Sequence, residues 1–384
     1  KEWAAEIQGN LYNNNIQINE ILYKKEEKKL ATLKAKYLFY GETLKTVEGL
    51  TLISEDIILR GNIYLENGSV KKIEIKELLR ELDNFSATLS FKEKNEILLD
   101  IFGNSINMNN YFVDDARGSS NGKINLNVKN FYFNTFNLGE VKLSSNLKNN
   151  KIRLLSGNIY YNKIDYINFK YLYENNKYSE FKFNFSDFGL FLQKLNLSDK
   201  FINGKGSVIL NIENNSKNIY FGNFLIKNFS IKDASFLTRL LQLASFTGLL
   251  EIIASEGIPF TNLEGSFIVD QESIIIEDTR FEGVSLGAST KGSINLEKKE
   301  LDLFGVLIPA YAINNVINKI PLLGKVITGI EGEGIIGFDY KAKGLYNNPE
   351  YSINPFSVLK PGILRSIFKN QSENSKDKND EISK

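Results

Sequence analysis

The chain has 384 residues, 47 Lys and Arg against 46 Asp and Glu, and neither histidine nor cysteine. A net charge of +1 with the lysines spread out excludes an electrostatic footprint for nucleic acid. Without His or Cys, disulfides, thiol chemistry, the usual metal ligands and the commonest general base are excluded too.

The opening Lys1-Glu2-Trp3 is neither an initiator methionine nor a signal peptide. The expectation is a fragment or processed chain whose membrane anchor, if it has one, lies upstream of Lys1. No run reaches about 18 uninterrupted apolar residues, the length of a membrane-spanning helix.

From Leu11 to Tyr220 the pattern is strand, short polar turn, strand. Strands are predicted at 16–18, 33–39, 57–65, 70–75, 97–101, 123–128 and 152–160, with one short helical turn over 76–83. Turn signals separate them at Asn67-Gly68, Asn121-Gly122, Asn149-Asn150 and Asn203-Gly204. Links this short imply antiparallel neighbours, because a parallel crossover needs about a dozen residues or more. Residues 1–220 therefore read as a long antiparallel meander.

Within it, Ile124, Leu126 and Val128 alternate with Asn125 and Asn127. Phe181, Phe183 and Phe185 alternate with Lys182 and Asn184, and Val208, Leu210 and Ile212 with Ile209 and Asn211. A period of two puts each apolar set on one face of a sheet. Roughly twenty such side chains, at ~1.5–3 kcal/mol each, amount to tens of kcal/mol if kept from water. What covers that face decides the function.

The texture changes at Phe221, and residues 221–368 form a second region. A helix is predicted over Asp233–Glu256, stopped by Gly257-Ile258-Pro259. Phe236, Leu237, Leu240, Leu241 and Ala244 form its apolar face, continued by Leu249 and Ile253. It admits two readings, a cap plugging the end of the sheet or a contact with a membrane or partner. Two hairpins follow, 266–269 with 274–277 and 284–296 with 300–304. A second helical stretch, Ala310–Thr328, is broken by Pro321, and a last strand falls near 335–342. Residues 369–384 read as a disordered polar tail.

Candidate chemistry is sparse. Asp114-Asp115 are adjacent, so on a strand they point to opposite faces and read as turn residues. Gly329, Gly332, Gly334 and Gly337 lack the Lys-Ser/Thr and the strand–loop–helix setting of a phosphate loop. No catalytic constellation is present, so the expectation is a protein that is not an enzyme and uses no cofactor or metal.

Residues 228–368 carry an ordered series: the strand 228–233 entering the helix, Gly257-Ile258-Pro259-Phe260, Gly292-Ser293-Ile294-Asn295-Leu296, Ile320-Pro321-Leu322-Leu323-Gly324, and the terminal 354–368 with Asn354-Pro355 and Lys360-Pro361-Gly362. This series resembles the C-terminal region of the AsmA-like proteins, especially the YhdP branch and, more broadly, TamB-type bridges. The resemblance covers a little over a third of the chain; the meander agrees in texture only, and the family's N-terminal membrane helix is missing.

The resemblance implies a mainly β fold, a long twisted, taco-like β-groove with an apolar concave face. It implies bridge-like transfer of phospholipids across the periplasm between inner and outer membrane of a Gram-negative bacterium. The cargo would be phospholipid, the setting the cell envelope, and the partners the two membranes and possibly envelope proteins. Besides the three sets above, the expected lining is Phe267, Val269, Ile274, Ile276, Val284, Leu286, Ile294, Leu296, Leu301 and Leu303.

Three rivals stand beside the open groove. An outer-membrane β-barrel gives the same alternation. An ordinary two-sheet sandwich covers its own apolar faces. A sandwich or solenoid could also serve as a structural or assembly factor of the outer membrane.

Overall fold

The computed structural model describes residues 1–93, 96–111, 121–134, 136–175, 178–194, 198–213, 219–232, 257–284, 286–309, 338–345 and 349–354. Among them the protein is mainly β: 21 strands belong to one open sheet and two more form a separate ribbon. The chain divides into two compact units, Lys1–Phe183 and Asn184–Lys384.

In the first unit β1 (Glu2–Asn10) is followed by the ribbon β2 (Ile16–Ile18) and β3 (Tyr23–Lys25), and then by β4 (Ala31–Tyr40). Strand β4 pairs back onto β1 in unbroken antiparallel register, so the ribbon is an excursion from a hairpin. The meander continues through β5 (Thr43–Ser54), β6 (Ile58–Glu66), β7 (Ser69–Arg80), β8 (Asp83–Phe91) and β9 (Glu96–Asn107), each antiparallel to the one before.

Strand β10 (Asn121–Phe133) then pairs with β9 in parallel, a departure from the antiparallel expectation among the described residues of this unit. The link from Asn107 to Asn121 is long enough for the crossover that a parallel neighbour requires. Strands β11 (Phe136–Asn137), β12 (Glu140–Lys148), β13 (Lys151–Tyr160) and β14 (Tyr166–Tyr173) restore the antiparallel pattern, and β15 (Tyr178–Phe185) runs across the division.

In the second unit a helix, α1 (Phe188–Lys194), precedes β16 (Phe201–Glu213) and β17 (Tyr220–Ile231). Strands β18 (Ile258–Val269), β19 (Ser273–Glu282), β20 (Leu286–Asn295), β21 (Glu300–Pro309), β22 (Phe338–Leu345) and β23 (Glu350–Asn354) complete it, antiparallel throughout from β16.

Local chemistry explains the turns. Asn67 and Gly68 both have positive φ (52° and 75°), as do Asn149 and Asn150 (53° and 59°), the backbone of the two-residue hairpin turn. Two other turn signals fall inside strands. Asn121-Gly122 opens β10, and Asn203-Gly204 is a left-handed irregularity within β16.

Bulges account for the largest difference from the sequence reading. Residues 76–80 are the end of β7, not a helical turn. The register slips between Ile75 and Leu78, which moves Leu78 onto the face of Ile75 and breaks the alternation. The predicted helices Asp233–Glu256 and Ala310–Thr328, the Asp114-Asp115 pair, the glycines 329–337 and the tail 369–384 lie outside the described residues.

Candidate functional site

Cross-strand register gathers the apolar side chains of each unit onto one face. In the first unit Ile63, Ile73, Leu89, Leu99 and Ile124 form one row across five strands. A second row runs Leu52, Leu59, Leu78, Phe85, Gly103, Val128, Val141, Ile159 and Ile167. The side chains between the rows, such as Ala87, Ile101, Leu126 and Leu143, point the same way. The parallel step does not interrupt the face, because Leu99 meets Ile124 and Ile101 meets Leu126 across it.

The second unit repeats the arrangement. One row is Leu210, Gly222, Phe267, Ile276, Gly292, Leu303, Ala342 and Tyr351. Beside it run Ile212, Tyr220, Val269, Ile274, Ile294 and Leu301, with Val208 opposite Phe224 on the other side. Phe229 stacks between Phe201 and Phe260, with ring centroids 5.7 and 5.3 Å apart, tying β16, β17 and β18 together.

Burial is graded along the strands. In the first unit Leu78, Phe85, Leu126, Val128 and Val141 are buried in one cluster, while Ile63, Ile73, Leu89, Leu99 and Ile124 are half-buried. In the second, Ile226, Phe229, Ile258, Phe260, Leu286 and Leu307 form the buried cluster, while Leu210, Phe267, Ile276, Ile294 and Leu303 stay half-exposed. Each apolar face is thus sealed towards one end of its strands and partly open towards the other.

The opposite face carries ion pairs, together with exposed apolar side chains such as Phe102, Phe221, Ile275 and Phe304. Lys34 meets Glu6 at 2.8 Å, Lys142 meets Glu140 at 2.7 Å, Arg280 meets Asp278 at 2.8 Å, and Arg60 pairs with Glu77. Lys34 beside Glu6, and Lys72 beside Glu74, hold those carboxyls below the usual range. Asn125 bridges β9 and β12, donating to Asp100 and accepting from Ser144, both at 2.8 Å.

The predicted lining residues divide as follows. Ile124, Leu126 and Val128 share the first unit's face, and Phe181 packs edge-on against Phe169 and Tyr171 and lies 4.2 Å from Phe183. Phe185 is buried against Phe188 and Phe191 of α1. Val208, Leu210, Ile212, Phe267, Val269, Ile274, Ile276, Leu286, Ile294, Leu301 and Leu303 share the second unit's face.

Two do not fit. Val284 lies on the connection before β20 and is 76% exposed, and Leu296 sits one residue past the end of β20. Phe236, Leu237, Leu240, Leu241, Ala244, Leu249 and Ile253 lie outside the described residues.

The reading of the sequence missed the rows before Ile124 and the buried set Ile226, Phe229, Phe260 and Leu263. Short alternations were present, as in Ile73–Ile75, but bulges end them. In β17 Asn228 takes φ 55°, so Ile226 and Phe229 share a face although three residues apart.

The geometry defines a class: open-sheet β units, each with one face of in-register apolar rows and an opposite face where ion pairs and exposed apolar side chains mix. No family model, curated protein or solved structure matches the chain. Among the described residues no helix is long and apolar enough to cross a membrane.

Proposed function

We propose that the half-open apolar face carries acyl chains and that the protein is a lipid conduit, not an enzyme. In this reading the sheet curls into a groove. Phospholipids slide along it between the inner and outer membranes of the envelope, as the resemblance of residues 228–368 to AsmA-like proteins implies. One observation carries the reading: the apolar rows stay in register from strand to strand within each unit without a charged side chain in them. A continuous low-polarity track lets an acyl chain move without a deep well, whereas an ionised group in the track would oppose it strongly.

A photoreactive side chain at position 183 tests this. Capture of phospholipid in cells is the expected result; capture of protein partners alone would count against it. The second reading, a structural or assembly factor of the outer membrane, is favoured by how much of each face the chain already covers, as at Ile226 and Leu78. Purified protein free of lipid by mass spectrometry would support that alternative.

A further inference from the structure

We infer that the excursion between β1 and β4 is a built-in stop that confines acyl cargo to one end of the first unit's apolar face, with Arg80 and Asp83 as its latch. The inference rests on the conduit reading.

The excursion lies over the sealed end of the sheet. Tyr23 is buried with Leu52 and Ile57, and Leu11, Ile16, Ile18 and Ile21 pack around them together with Leu33 and Leu59. Ile21 also packs against the cluster that contains Leu78 and Phe85, so it reaches from β5 towards β8. In this inference an acyl chain reaches the Leu52–Leu59 end of the sealed row only by displacing the excursion.

Two polar contacts fix it to the sheet, and a third braces it from within. The Tyr23 and Ser54 hydroxyls are 2.6 Å apart. The Lys25 side chain is fully buried, and its Nζ donates to the carbonyl oxygens of Asn14 (2.8 Å) and Glu26 (2.9 Å). Arg80 at the end of β7 donates through Nη1 to the Ile21 carbonyl at 2.7 Å.

Arg80 is in turn held by Asp83, whose carboxylate lies 3.3 Å away and is fully buried. Asp83 also accepts from the Asn107 amide (2.6 Å), the Asn110 side-chain amide (2.8 Å) and the Tyr111 hydroxyl (2.8 Å). One carboxylate therefore ties the start of β8, the end of β9 and, through Arg80, the excursion. A buried charge with this many donors is costly to unpair, which keeps the stop shut.

Strand β8 supplies matched probe positions. Phe85 and Phe91 lie on the same face of it, Phe85 in the sealed cluster and Phe91 half-buried opposite Ile97 in the open rows. In the full chain, a photoreactive phenylalanine at position 91 is expected to capture phospholipid and one at position 85 is not. Combining the position-85 probe with Asp83→Ala should produce capture there. So should replacing residues 12–29 with a short turn, which the β1–β4 pairing can accommodate. Equal capture at 85 and 91 in the otherwise unaltered chain overturns the stop and leaves the conduit standing. Capture at 85 that stays absent in a folded excursion-deleted chain also overturns it. No lipid at 91 or 183 overturns the conduit itself.

Discussion

Gly222 and Phe267 face each other across β17 and β18, and the phenyl ring of Phe267 occupies the space where a Cβ on residue 222 would stand. The missing side chain thereby becomes a seat for an aromatic ring in the middle of the apolar face. The same ring reaches Phe224, with centroids 6.0 Å apart. Gly222→Val would expel the ring from this seat, and overpacking of this kind costs about 1–3 kcal/mol. The expected result is a lower urea midpoint with an unchanged m-value. An unaltered midpoint would mean that the ring has another resting place.

Gly68 and Gly9 separate backbone strain from crowding. A Cβ at either position meets nothing within 4 Å, but Gly68 has φ +75° and Gly9 has no such restriction. Gly68→Ala should cost about 1–2 kcal/mol, the penalty for a left-handed L-residue. Gly9→Ala should instead be neutral or stabilise by up to about 1 kcal/mol, because glycine weakens a strand. Equal effects in equilibrium unfolding would refute the assignment of the turn.

Tyr340 sets an alkaline limit. Burial pushes its phenol up to about 12, and its hydroxyl donates to the Ser289 carbonyl at 3.2 Å. An unfolded tyrosine ionises near ~10, so between about pH 10 and 12 the unfolded chain loses a proton that the folded chain keeps. Its contribution is present in full below the unfolded value and lost as pH rises through the folded one. The difference amounts to about 2–3 kcal/mol. Tyr340→Phe should shrink the loss of stability over that window by this amount, read from urea unfolding at stepped pH. Burial raises Tyr111 and Tyr161 as well, so part of the alkaline limb will persist.

Leu210 tests the proposed track directly. It lies on the apolar face opposite Gly222, while its neighbour Asn211 is exposed on the other side. An uncompensated charge in an apolar setting costs several kcal/mol, and each ~1.4 kcal/mol is about tenfold in occupancy. Leu210→Asp should therefore cut lipid transfer by at least roughly tenfold in a chain that still folds, and Phe183→Asp likewise. Asn211→Asp and Asn184→Asp should leave transfer near normal. Equal transfer by Leu210→Asp and Asn211→Asp would remove the face from the mechanism.

Much of the strand pattern was legible in the sequence, because alternation and turn chemistry are local. The strands predicted at 57–65, 70–75, 97–101 and 152–160 are found within a residue of their predicted starts, at Ile58, Ser69, Glu96 and Lys151, and Asn67-Gly68 and Asn149-Asn150 turn where their residue types demand it. The lining was legible only where alternation ran unbroken, as in Ile124–Val128 and Phe267–Val269. Past a bulge, or past the left-handed Asn228, the parity reverses, so Leu78, Thr279 and Phe229 join faces that their spacing alone assigns elsewhere.

The amino-acid order by itself determined that this protein is a β-meander whose apolar side chains gather on one face, since a period of two needs no partner to be read. Tertiary structure alone decided which strands meet, that β9 and β10 run parallel, and that the excursion after β1 packs against Leu52, Ile57 and Leu59. Those outcomes depend on contacts between residues far apart in the chain, such as Arg80 with Ile21 and Asp83 with Tyr111, for which no local spacing carries a signal.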